Sequence, residues 1–80
     1  MTDLDNLIGK IALWQRKHYP DTTIEQCADN LVRQAVKIHS KPIDNSAYAD
    51  TLIALCGILA KIEISGSKLL NEVDYQMKKK

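Results

Sequence analysis

Apolar residues recur every three or four positions through most of the chain, and the breaks between these runs predict four helices. From Thr2 to His18 the line is Leu4, Leu7, Ile8, Ile11 and Trp14, the spacing of one helix face. Thr2 suits an N-cap, and Asp3 and Asp5 fall in the first turn, where the helix dipole favours negative charge. Gly9 costs ~1 kcal/mol relative to alanine inside a helix and is taken to mark a close helix crossing. Tyr19-Pro20-Asp21-Thr22 ends the run, because Pro20 disfavours helical geometry at the residue before it.

Thr22 and Glu25 have capping-box spacing, so a second helix is expected to open there and run to about Ile38. Its apolar line is Ile24, Cys27, Ala28, Leu31, Val32, Ala35 and Ile38, with Gln26, Asn30, Arg33, Gln34 and Lys37 in the remaining directions. His39-Ser40-Lys41-Pro42 closes it, and Asp44, Asn45 or Ser46 can cap the third. That third stretch, Tyr48 to Ile62, is apolar almost all round, and its main charged interruption is Asp50. A helix without a polar face must be surrounded on several sides. Ser65-Gly66 separates a last helix, Ser67 to Lys79, lined by Leu69, Leu70, Val73 and Met77. No stretch alternates with period two, so no strand is expected. The fold class is all-α: a four-helix bundle with short, antiparallel-favouring connections.

Eighty residues make one small domain, 1–80, at the size where a single core is only marginally stable. With so much apolar surface on the third helix, a homo-oligomer, dimer or higher, is the expected supplement, with sites near subunit seams. Lysine and arginine number 11 against 10 aspartates and glutamates, so no overall field draws the chain to duplex nucleic acid or membrane. Lys78, Lys79 and Lys80 form either a solvated helix end that complements the dipole or a phosphate contact. No run is long and apolar enough to span a bilayer. Cys27 and Cys56 sit among apolar neighbours and fit small core residues in a reduced, cytoplasmic compartment.

Candidate chemistry is sparse. Neither cysteine shares a local motif with His18 or His39, and the glycines at positions 9, 57 and 66 form no phosphate loop. Glu25 and Asp29 are explained by capping and the helix dipole. Asp50 is either an acid early in its helix or an inward carboxylate that needs a partner. Trp14, His18 and Tyr19 cluster around Arg16 and Lys17 at the end of the first helix. Such a group either stacks a base and holds a phosphate, or serves as core and a lid over the turn.

In order, the landmarks are Trp14-Gln15, Tyr19-Pro20-Asp21, Leu31, Tyr48-Ala49-Asp50 with Leu52 and Ile53, then Ile64-Ser65, Leu69-Leu70 and Met77. Over about residues 11 to 80 this order resembles the MazG-like all-α nucleotide pyrophosphohydrolases, nearest the phage and prophage dATP/dGTP diphosphohydrolase-like branch. The resemblance implies a magnesium site built from Glu-x-x-Glu on the second helix and Glu-x-x-Asp at the start of the third, which helps water attack an α–β phosphate linkage. Aligned on the shared landmarks, those four acids fall on Gln34, Lys37, Ala47 and Asp50. A lysine in place of a carboxylate turns attraction for the cation into repulsion, a term of roughly 4 kcal/mol at 4 Å and an effective dielectric of ~20.

Three functions are therefore weighed. The first is a non-catalytic, MazG-like binder of a nucleotide or cyclic nucleotide, without a cofactor. It uses Trp14, Lys17, His18, Tyr19, Arg33, Gln34, Lys37 and Asp50, with Arg33 and Lys37 neutralising phosphate oxygens. Its phage-like branch suggests sequestration of a defence signal. The second is a magnesium-dependent pyrophosphohydrolase of dATP- or dGTP-like substrates, drawing ligands from Asp50, Glu25, Asp29 or a neighbouring subunit. The third is a structural or protein-binding bundle, favoured if Arg33, Lys37 and Asp50 do not converge on one cavity.

Overall fold

A computed structural model describes residues 2–79, so Lys80 lies outside the described residues. Four helices follow one another: α1 (Asp3–His18), α2 (Ile24–Ser40), α3 (Asn45–Lys61) and α4 (Gly66–Lys79). Among the described residues there is no strand. The fold is all-α.

Helix α3 lies between α2 and α1, while α4 packs on α1 alone. The nearly all-apolar helix thus takes the central place its sequence demanded. Ile8 and Ile11 of α1 meet Cys56 and Leu59 of α3 in the core, with Leu4, Leu7, Ile53, Ala60, Ile64 and Leu69 half-buried around them. Only two flanks of α3 are covered, however, and Tyr48, Leu52, Leu55 and Ile62 remain exposed.

The helix starts follow local hydrogen bonding. Thr2 caps α1 through a reciprocal box with Asp5. At α2 the box is Thr23 with Gln26, one residue later than the expected Thr22 and Glu25. Both pairs have the right spacing, but the Thr22 N–H is engaged by the Tyr19 carbonyl in the turn. Asp44 caps α3 and accepts from the backbone of Ser46 and Ala47. The Tyr48 hydroxyl ties that loop down by donating to the Pro42 carbonyl at 2.7 Å.

Gly9 does not mark a crossing: it is exposed, with open space where a Cβ would stand. The close approaches belong to the other two glycines. A Cβ on Gly57 would collide with the Gln15 side-chain amide, and one on Gly66 would stand 2.7 Å from the Asp5 backbone nitrogen. Gly66 is therefore the first residue of α4 rather than the break before it. Its N–H donates to the Asp5 carboxylate, as does the Ser67 hydroxyl, so one acid serves the N-termini of two helices.

Helix α3 ends in a Schellman turn without glycine. Glu63 takes a left-handed conformation (φ 59°), and the Ile64 N–H returns to the Leu59 carbonyl at 3.0 Å. A side chain in this region costs roughly 1–2 kcal/mol. Glu63→Gly is expected to raise thermal stability by about 1 kcal/mol, read from paired melting curves, despite adding freedom to the unfolded chain.

Candidate functional site

The C-terminal half of α1 and the N-terminal half of α2 both rest on α3 without packing their backbones against each other. The gap between them is a cavity of about 250 Å³ lined by Trp14, Gln15, Tyr19, Thr22, Gln26, Cys27, Asn30, Asp50, Ile53 and Ala54. Its character follows from three donors of side chains. Helix α1 supplies aromatic faces, α2 supplies amides, and α3 supplies one carboxylate.

The aromatic cluster expected at the end of α1 is present. Trp14 and Tyr19 meet edge to face with centroids 5.5 Å apart, and His18 tilts against Trp14 at 5.6 Å. Tyr19 also closes the helix, its N–H donating to the Gln15 carbonyl at 2.7 Å. Two amides are buried, Gln15 and Gln34, the second of which the helical pattern placed among polar directions. Gln15 lies over Gly57 and directs its amide nitrogen to the Cys27 sulfur at 3.9 Å. Gln34, only 4% exposed, donates to the Asn30 side-chain oxygen at 3.1 Å. The Gln34 amide oxygen has no partner among the described residues, a loss of about 1–3 kcal/mol for a buried polar group.

Of the residues expected from the sequence, Trp14, Tyr19 and Asp50 share this cavity, and His18 and Tyr19 line a shallower one beside it with Pro20, Asp21, Thr22 and Gln26. Gln34 reaches the site through Asn30. Lys17, Arg33 and Lys37 are exposed and do not line the cavity that holds Asp50. Instead, a neighbouring cavity of about 200 Å³, sharing Gln15 and Tyr19 with the first, brings together Arg16 and Lys61 across Gly57. No carboxylate lines it. Arg16 stands in the aromatic cluster of the sequence, but nothing there links it to Lys61; only the crossing of α1 over α3 pairs them.

Residues 7–80 match the family described as dATP/dGTP pyrophosphohydrolase. The chain belongs to that family. Neither a curated protein nor a solved structure matches it. A dATP/dGTP pyrophosphohydrolase of the MazG-like type implies magnesium, so the donor set can be tested for fit. Magnesium takes six oxygen ligands in near-octahedral geometry, with carboxylates prominent among them. Asp50 is the one acid in its cavity, and among the described residues no three His, Cys, Asp or Glu side chains come together. The residues present do not fit that ion. The thiols offer no substitute chemistry, since both are buried and burial pushes the Cys56 thiol up from its ordinary pKa.

Proposed function

We propose that this family member binds a nucleotide and holds it without magnesium-dependent cleavage. The observation that carries the reading is the composition of one continuous region: aromatic faces and amides in one cavity, two cations in the next, and a single carboxylate. A base stacks on Trp14 or Tyr19 and presents its edges to Gln15, Gln26 and Asn30, which offer both donors and acceptors. Phosphates extend past Gln15 towards Arg16 and Lys61, whose charges replace the metal in neutralising them. Arg33 and Lys37 do not converge with Asp50 on one cavity, the condition that favours a protein-binding bundle, so the reading rests instead on Arg16 and Lys61, which share one. Sequestration of a nucleotide or nucleotide-derived signal is the biological role that fits binding without turnover.

Isothermal titration with a panel of mononucleotides and cyclic nucleotides, in EDTA, tests it. At least one is expected to bind below about 100 µM, roughly −5.5 kcal/mol. Tyr19→Ala should weaken that binding about 10- to 100-fold while leaving helicity unchanged, because Tyr19 is exposed and one stacking contact contributes ~1–3 kcal/mol. No binding across the panel overturns the proposal and favours a protein-binding bundle. Family membership favours a second reading, pyrophosphate release from dATP or dGTP with magnesium. Turnover that is lost in Asp50→Ala would establish it in place of the first.

A further inference from the structure

Three amides around the nucleotide cavity each have one end engaged by the protein, which fixes what the other end can offer a ligand. Gln26 accepts the Thr23 N–H through its amide oxygen at 2.9 Å, completing the cap of α2. Its amino group is therefore the end left for the cavity. Asn30 accepts the Gln34 amide N–H through its own oxygen at 3.1 Å, and Gln34 is held by burial, so Asn30 too is left with a donor. The two residues stand four apart on one face of α2, which sets their free donors side by side. The other walls are the reverse. Asp50 of α3 lines the same cavity, and an ionised carboxylate only accepts. Gln15 of α1 directs its amide nitrogen to the Cys27 sulfur at 3.9 Å, which leaves its oxygen.

We propose, resting on the nucleotide-holding reading above, that this cavity selects guanine against adenine, although the family's description spans dATP and dGTP alike. Guanine carries two acceptors, O6 and N7, along one edge, and two donors, N1–H and the 2-amino group, along the next. With the ring stacked on Trp14 or Tyr19, O6 and N7 take the two α2 donors. The N1–H and the 2-amino group then meet the Asp50 carboxylate in a two-bond, charge-assisted contact. Adenine matches neither wall. Its 6-amino group sets a donor against an amide donor, and its N1 lone pair faces the carboxylate. A site built to hydrogen-bond its ligand rejects such an analogue strongly, because the site's own polar groups are left unpaired. The lone carboxylate that cannot hold magnesium thus gains a task that needs no metal.

Isothermal titration of GMP, IMP and AMP in EDTA tests the selection. GMP is expected to bind at least ~30-fold more tightly than AMP. IMP, which lacks only the 2-amino group, should bind about 10-fold more weakly than GMP. Asp50→Asn should bring GMP and AMP to within about 3-fold of each other at unchanged helicity. Gln26→Glu keeps an oxygen for the Thr23 N–H but puts an acceptor where the cavity had a donor, and should narrow the GMP preference at least ~5-fold. Gln26 is exposed, so this variant keeps the fold and decides alone if Asp50→Asn loses helicity. AMP binding within about 3-fold of GMP overturns the selection and leaves nucleotide holding intact. So does a GMP preference that neither folded variant reduces, or a panel in which other nucleotides bind and GMP does not. If no nucleotide of the panel binds, the holding reading falls and the selection of guanine falls with it.

Discussion

Leu59→Asp is expected to unfold the chain, while Leu55→Asp leaves it folded. Leu59 is 5% exposed in the middle of the α1–α3 core, against Ile8, Ile11 and Cys56. Aspartate there removes the packing of a full leucine and puts a carboxylate where the weak Cys56 S–H is the one donor these three side chains offer. The expected loss is at least ~4 kcal/mol. A domain of this size has a total stability of roughly 4–12 kcal/mol, so little or none remains. Leu55, one turn earlier, is 38% exposed, and its carboxylate can stay in water. Circular dichroism melts of the two variants give the comparison directly. The sequence does not distinguish the two positions, since both lie on a helix that is apolar almost all round. The structure separates them by showing which flanks of α3 the other helices cover.

Asp5→Asn is expected to remove much of the acid sensitivity of the fold. Hydrogen bonds from Thr2, from the Gly66 backbone and from Ser67 hold the Asp5 carboxyl down at about 2, against an ordinary value of 3.8. A carboxylate depressed in this way stabilises the folded state fully above its unfolded pKa, and the contribution fades as pH falls from about 4 to about 2. The wild type should therefore lose stability across that window. The variant should be weaker at neutral pH, where the charged acceptor is missing from two helix N-termini, and should converge with the wild type near pH 2. Urea midpoints at several pH values between these limits would show it. Asp44 is lowered in the same direction, chiefly by the Ser46 hydroxyl, so Asp5→Asn/Asp44→Asn should flatten the profile further.

The four helices were legible because each is bounded by a cap, a proline or a glycine and carries an apolar line of helical period. The central position of α3 followed from its lack of a polar face. What the pattern could not convey was which side of α2 faces inward. Val32 and Ala35 belong to its apolar line and are exposed, whereas Gln34, a polar residue, is buried and Asn30 half-buried. A long-chain amide contributes a polar letter to a periodicity argument even where its hydrogen bonds are made inside. The same blindness hid Gln15, whose burial depends on Gly57 being bare, and Gly66, whose value lies in a contact with Asp5 far away in the chain. Trp14, Tyr19 and Asp50 were found because aromatic clusters and lone acids on apolar helices stand out by residue type. Arg16 with Lys61 was not, because their pairing is a property of a helix crossing.

The bonds from Asp5 to Gly66 and Ser67 join positions 61 and 62 residues apart, whereas α2 and α3 meet across a loop of a few residues. Closing a long loop costs more chain entropy than closing a short one, which favours early contact between α2 and α3. On that ground the α2–α3 hairpin is expected to form first, with α1 settling on it and α4 docking last. In a mutational rate study, core substitutions in α3 should then slow folding, and loss of the Asp5 clasp should show mainly as faster unfolding. If so, the clasp that joins the two ends of the bundle is a latch fastened after the body is built.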